Sequence, residues 1–150
     1  MNLNRIIGIG LLVTSLALVS FKGDKDPLHK KKFIAQGTEI KDGKPKGNKP
    51  IEDEIEFKNG KVYSSLCWEK MEFQDVKYEI RKDSTYIDSS TTTEKHYYEV
   101  EAITTNDKKE TLTMNFTIND YEIDAIYKLT KKDLVKKHFT STGKEKVKKK

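Results

Sequence analysis

The chain has 150 residues, of which 35% are charged and 35% are hydrophobic, and its formal net charge is +5. This length suits one domain with a single core rather than several domains. The lone cysteine, Cys67, excludes an intramolecular disulfide. We interpret it as a small buried hydrophobic residue, with a free thiol or an intermolecular disulfide as the alternatives.

Residues 1–20 predict an export signal. Arg5 precedes an uncharged run from Ile6 to Ser20 that is rich in Ile, Leu and Val, as in a signal peptide. The run is shorter than the ~20 apolar residues that cross a bilayer. We therefore predict cleavage after Ala17 or Ser20 and a periplasmic or extracellular protein, with a retained anchor as the alternative.

Charge is distributed unevenly after the signal. We predict a basic linker over 21–31, a single domain over 32–143 and a basic tail over 144–150. Phe33–Gly143 contains 18 basic and 21 acidic residues, whereas Lys144–Lys150 contains five lysines and one glutamate. Basic ends therefore flank a mildly acidic body.

Alternation of apolar and polar residues predicts antiparallel strands through most of the body. Leu112–Ile118 alternates strictly, and after the turn residues Asn119 and Asp120 the alternation resumes over Tyr121–Leu129. A period of two is the pattern of a half-buried strand, and a short polar loop between two such runs predicts a hairpin.

The same pattern predicts the remaining strands. Ile51–Phe57 alternates before Asn59-Gly60, a strong hairpin signal, and Val62–Leu66 would return along it. Val76–Ile80 and Tyr98–Ala102 alternate in the same way, and the second would pair with Leu112–Ile118. Such segments suit antiparallel sheets with one wet and one dry face.

The two ends of the domain resemble each other. Phe33–Glu39 and Phe139–Glu145 are both β-prone runs that contain a glycine and finish on a charged residue. If these first and last strands pair, the fold is an all-β, antiparallel up-and-down meander closed into a barrel of roughly eight to nine strands. An open sandwich is the alternative.

Three motifs carry a family resemblance: Phe-x-x-x-Gly at Phe33, Ile-x-Phe-x-Asn-Gly-Lys-Val at Ile55, and Tyr-Glu-Ile-x-x-Asp at Tyr78. Over Lys32–Gly143 the chain resembles the small secreted lipocalin-like (calycin-like) proteins of bacteria. The resemblance implies a barrel that holds a small hydrophobic molecule. The Gly-x-Trp of true lipocalins is absent, and eight-stranded barrels can equally be filled by their own side chains.

Aromatic residues at inward-type positions are the candidates for lining such an interior, because tyrosine combines an apolar body with a polar tip. Core packing is the alternative role. The predicted ligand-lining residues are Tyr78, Tyr98, Phe116 and Tyr127.

The lysine clusters support a different hypothesis. If the first and last strands pair antiparallel, both clusters meet at one end of the barrel and attract an anionic lipid or polysaccharide. A solubilising tail is the alternative, and export makes nucleic acid a poor partner. The predicted contact residues are Lys30, Lys31, Lys32, Lys144, Lys146, Lys148, Lys149 and Lys150.

No motif for catalysis or metal binding stands out. His29, His96 and His138 lie far apart, without the spacing of a metal site. We therefore predict no catalytic residue, metal or cofactor, and a monomeric, exported, non-enzymatic barrel that binds a small hydrophobic ligand. The alternative is an envelope protein that binds an anionic surface through its basic end and has no ligand cavity.

Overall fold

The computed structural model describes residues 26–147, so the predicted signal peptide and Lys148–Lys150 lie outside the described residues. Residues 26–147 form eight antiparallel strands that are hydrogen-bonded in sequence order into a closed barrel, which confirms the predicted fold class. The elements are β1 (Lys32–Lys41), β2 (Lys44–Lys58), β3 (Lys61–Ser64), α1 (Ser65–Met71), β4 (Val76–Ile87), β5 (Glu94–Thr105), β6 (Glu110–Asn119), β7 (Glu122–Lys131) and β8 (Leu134–Glu145).

The first and last strands close the ring, as the sequence predicts. β1 pairs with β8 from Phe33 opposite Glu145 to Glu39 opposite Phe139. Gly143 of β8 lies directly against this seam, because a Cβ atom there would overlap the backbone of β1 at Ile34 and Ala35. Closure therefore requires a residue without a side chain at this position.

The predicted turn at Asn59 and Gly60 is confirmed. Both residues have positive φ, 53° and 72°, as a type I′ turn requires. The β6–β7 turn lies one residue later than predicted, because Asn119 remains in β6 and pairs with Glu122.

Helix α1 interrupts the segment predicted as one returning strand, Val62–Leu66. β3 stops at Ser64, whose side-chain oxygen accepts a hydrogen bond from the Cys67 amide at 3.1 Å and caps the helix. Leu66, Cys67 and Met71 are buried, so the helix turns its apolar side into the barrel. The burial of Cys67 agrees with its interpretation as a small hydrophobic residue.

The barrel has two poles, which the strand directions define. The α1 pole carries helix α1 and the β1–β2, β5–β6 and β7–β8 turns. The N-terminal pole carries residues 26–31, the β2–β3, β4–β5 and β6–β7 turns, and the end of β8.

Residues 26–31, part of the predicted linker, pack against the N-terminal pole. Leu28 is fully buried. The Lys30 amide donates to the Phe57 carbonyl at 2.8 Å, and the Phe57 amide donates to the Lys31 carbonyl at 2.9 Å. Within residues 26–147, no helix is both long enough and apolar enough to cross a membrane.

We predict that Gly143→Ala destabilises the barrel, since the added methyl group must push β1 and β8 apart. Overpacking of this kind costs roughly 1–3 kcal/mol. Urea unfolding followed by far-UV circular dichroism measures the loss. Thr142→Ala, at the exposed neighbouring position, is the control and should change stability by less than about 0.5 kcal/mol. Equal stability of the two variants would contradict the tight seam.

Candidate functional site

The predicted ligand-lining residues all meet the hydrophobic core. Tyr98, Phe116 and Tyr127 are buried members of one cluster, and Tyr78 is partly buried and packs against it. Burial at these positions is compatible with either role that the sequence predicts.

Ring contacts connect three of these residues, Tyr78, Phe116 and Tyr127, through Phe57. Phe57 makes edge-to-face contacts with Tyr78, at 5.2 Å between ring centroids, and with Phe116, at 5.4 Å. Phe33 packs on Phe57 at 6.1 Å, and Phe116 packs on Tyr127 at 5.9 Å. These centroid distances are typical of a packed aromatic core, in which the rings contact one another.

A buried carboxylate lies next to this aromatic core. Asp53 of β2 is fully buried. Its Oδ1 accepts hydrogen bonds from the Ser64 hydroxyl at 2.7 Å and from the Leu66 amide at 3.3 Å. Its Oδ2 accepts from Tyr127 Oη at 2.6 Å and from Ser141 Oγ at 3.0 Å. These four hydrogen bonds satisfy the capacity of the carboxylate.

Burial raises the pKa of three acid groups of the barrel, Tyr127, Cys67 and Tyr78. Burial, followed by the adjacent Asp53 charge, raises the pKa of Tyr127 well above its ordinary value. Burial likewise raises the pKa of Cys67, which keeps the thiol protonated and unreactive as a nucleophile. At the N-terminal pole, burial and a hydrogen bond to Asp26 raise the pKa of Tyr78. These groups stay neutral, which suits a structural role.

We predict that Tyr127→Phe costs roughly 1.5–3 kcal/mol of unfolding free energy, because it removes a hydrogen bond to a buried charged group. Chemical denaturation measures the change. Tyr86→Phe is the matched control, since the Tyr86 hydroxyl donates to Asn119 at 2.7 Å on the exposed surface. A loss for Tyr127→Phe no larger than that of the control would show that the buried contact contributes nothing.

We also predict that the difference in stability between wild type and Tyr127→Phe depends on pH. The pKa of Tyr127 is raised in the folded state, so its stabilising effect is complete below the unfolded pKa of about 10 and is lost as the pH rises above it. The stability advantage of wild type over Tyr127→Phe should therefore shrink by roughly 1.4 kcal/mol per pH unit above about pH 10. Denaturation at a series of alkaline pH values tests this, and a constant advantage would contradict the raised pKa.

The histidines lie in three different environments. His29 Nδ1 accepts a hydrogen bond from the Asn59 amide at 3.2 Å, His96 stacks on Tyr98, and His138 is half-buried on β8. Burial and then the charge of Lys128 lower the pKa of His138. In the part of the chain that the structure describes, no group of three or more His, Cys, Asp or Glu side chains could hold a metal ion.

Within residues 26–147, the structure brings Lys30–Lys32 close to Lys144 and Lys146 at the N-terminal pole. The Lys146 amide donates to the Lys32 carbonyl at 2.7 Å. Several of these lysines form salt bridges with glutamates. Lys31 pairs with Glu145 at 2.7 Å, Lys32 with Glu56 at 2.9 Å, and Lys144 with Glu122 at 3.4 Å. Lys30 and Lys146 are exposed, and Lys148, Lys149 and Lys150 lie outside the described residues.

The α1 pole carries a second basic surface. Its residues are not among those predicted from the sequence. The pairing of β1 with β8 stops at Glu39 and Phe139, and beyond it the β1–β2 and β7–β8 hairpins separate. A cleft of about 530 Å³ opens between them, lined by Glu39–Gly43 and Lys46 on one side and by Val135–His138 on the other. We call Glu39–Lys49 and Lys131–His138 together the lysine cleft.

The lysine cleft concentrates positive charge. It contains eight lysines against three acidic residues, an excess of five. Only two of its lysines form ion pairs among residues 26–147: Lys46 with Glu39 at 3.1 Å and Lys131 with Glu110 at 3.9 Å. The lysines without an ion pair in this range are Lys41, Lys44, Lys49, Lys132, Lys136 and Lys137.

Comparison of the chain with models of protein families, with curated proteins and with solved structures found no match. The lysine cleft combines exposure, concentrated positive charge and a concave shape, and it can bind an anionic group.

Proposed function

We propose that this protein is an exported, non-enzymatic barrel that binds an anionic partner through the lysine cleft. The observation that carries the proposal is the concentration of lysines without ion pairs on two hairpins that separate from each other at the α1 pole. The family resemblance supports a secreted barrel, and the predicted signal peptide would bring it to the cell envelope.

The packing of the interior supports a surface site over an interior one. The rings of Tyr78, Phe116 and Tyr127 contact other core residues, and Leu28 is buried at the N-terminal pole. Helix α1 buries Leu66 inside the barrel near Gly37 of β1. A hydrophobic ligand would have to displace these side chains, whereas an anionic partner meets the exposed lysines directly.

Three of the predicted contact lysines have a counter-charge that most lysines of the cleft lack. At the N-terminal pole, Lys31, Lys32 and Lys144 each contact a glutamate. A lysine held by a nearby carboxylate presents little net field to a partner. At the α1 pole, residues 41–50 and 132–137 are all exposed, so their lysines face solvent and can approach an anionic surface, where each contributes ~1 kcal/mol.

We predict that removing half of the lysines of the cleft strongly weakens binding to anionic probes. The variant Lys41→Gln/Lys49→Gln/Lys132→Gln/Lys136→Gln removes four charges and should weaken binding to phosphatidylglycerol vesicles or a soluble sulfated polysaccharide by roughly 100- to 1000-fold. Co-sedimentation and titration at low salt measure the affinity, which should also lose most of its salt dependence.

The matched control removes four lysines of the predicted basic linker and tail: Lys30→Gln/Lys146→Gln/Lys148→Gln/Lys149→Gln. This variant has the same net charge as the cleft variant and should retain most of the binding. If the control loses binding and the cleft variant keeps it, the basic residues of the chain ends form the site and the cleft proposal is wrong.

A further inference from the structure

An exposed apolar pair lies at the tip of the β7–β8 hairpin, inside the lysine cleft. Leu134 is 65% exposed and Val135 is 57% exposed. Lys131, Lys132 and Asp133 precede the pair along the chain, and Lys136 and Lys137 follow it. Two adjacent apolar side chains bracketed by four lysines form a compact amphipathic tip.

The tip has a defined shape. Lys132 and Asp133 both have positive φ, 50° and 61°, and Lys131 pairs with Leu134 across them. This is the geometry of a tight two-residue hairpin turn, which fixes the direction of the strand that follows. Because the turn is already formed, Leu134 and Val135 can enter an apolar phase without ordering a loop first.

The α1 helix lies beside this tip and adds an aromatic residue to the same pole. Lys137 Nζ donates a hydrogen bond to the Lys70 carbonyl at the end of α1. Trp68, the only tryptophan of the chain, is on that helix and is 46% exposed. Tryptophan is enriched at the boundary between headgroups and acyl chains of a bilayer.

The geometry points to an anionic lipid bilayer as the partner of the lysine cleft, with Leu134 and Val135 entering the acyl boundary while the lysines contact headgroup phosphates. This inference rests on the proposed function and adds the class of partner. Stable attachment to a membrane surface combines an apolar anchor with basic charge, and the tip supplies both. A soluble polysaccharide would use the lysines but has no apolar phase for Leu134 and Val135.

The test compares Leu134→Ser/Val135→Ser with Ile87→Ser/Val147→Ser in the full protein. Ile87 and Val147 are also exposed, 62% and 72%, but lie at the N-terminal pole. Each variant is titrated with vesicles of phosphatidylglycerol and phosphatidylcholine, with vesicles of phosphatidylcholine alone, and with a soluble sulfated polysaccharide. Thermal melting by circular dichroism confirms that each variant is folded.

We expect the tip variant to bind the anionic vesicles roughly tenfold more weakly, as the loss of two partly inserted side chains implies, while its affinity for the polysaccharide stays unchanged. The Ile87→Ser/Val147→Ser control should bind both probes like wild type. Wild type should not bind phosphatidylcholine alone.

The outcomes separate this inference from the proposed function. Unchanged vesicle binding by the tip variant, or wild-type binding to polysaccharide but not to anionic vesicles, overturns the lipid inference and leaves the anionic site standing. Unchanged binding by the four-lysine cleft variant overturns the proposed function itself. If Leu134→Ser/Val135→Ser alters melting, Leu134→Asn alone repeats the test beside the hairpin turn.

Discussion

The hydrogen bonds of the Asp53 carboxylate tie together the elements that form the barrel. A buried charge without partners would cost several kcal/mol, so its donors from β3, α1, β7 and β8 must all stay in place. The Ser64 hydroxyl makes two hydrogen bonds here: it donates to Asp53 and accepts from the Cys67 amide. The end of β3, the start of α1 and the register of the last two strands are therefore coupled through one side chain.

This coupling also explains why the interior is packed. Because α1 begins where Ser64 meets Asp53, Leu66 points into the barrel, close to Gly37 and Ser141. Gly37 leaves room for that side chain, since a Cβ atom there would collide with it. Just beyond Gly37 the β1–β2 register becomes irregular, and the β1–β8 pairing ends at Glu39. The hairpins past this point no longer cover the core, so both of their faces meet water.

The sequence predicts the fold well wherever one local pattern determines it. Alternation predicts the strands, Asn59 and Gly60 predict a turn, and the matching ends predict the β1–β8 seam. It fails at α1, because a seven-residue helix following an apolar strand leaves no helical period to detect, and its cap Ser64 lacks a glutamate three residues later. It predicts which aromatic residues face inward but not that they contact one another, because ring contacts depend on packing across strands.

The sequence does not predict the lysine cleft, because a run of lysines does not show which of them lack a counter-charge in the folded protein. The run Lys30–Lys32 is conspicuous, yet the register that places Lys32 opposite Glu56 supplies its counter-charge. The lysines of the cleft are spaced along two hairpins and look like ordinary polar-face residues. At the β1–β2 tip, however, Lys41 lies directly opposite Lys44, and like charges across a strand pair repel. An anionic partner at this pole would relieve that repulsion. The register thus gives Lys32 a counter-charge but sets two lysines of the cleft against each other.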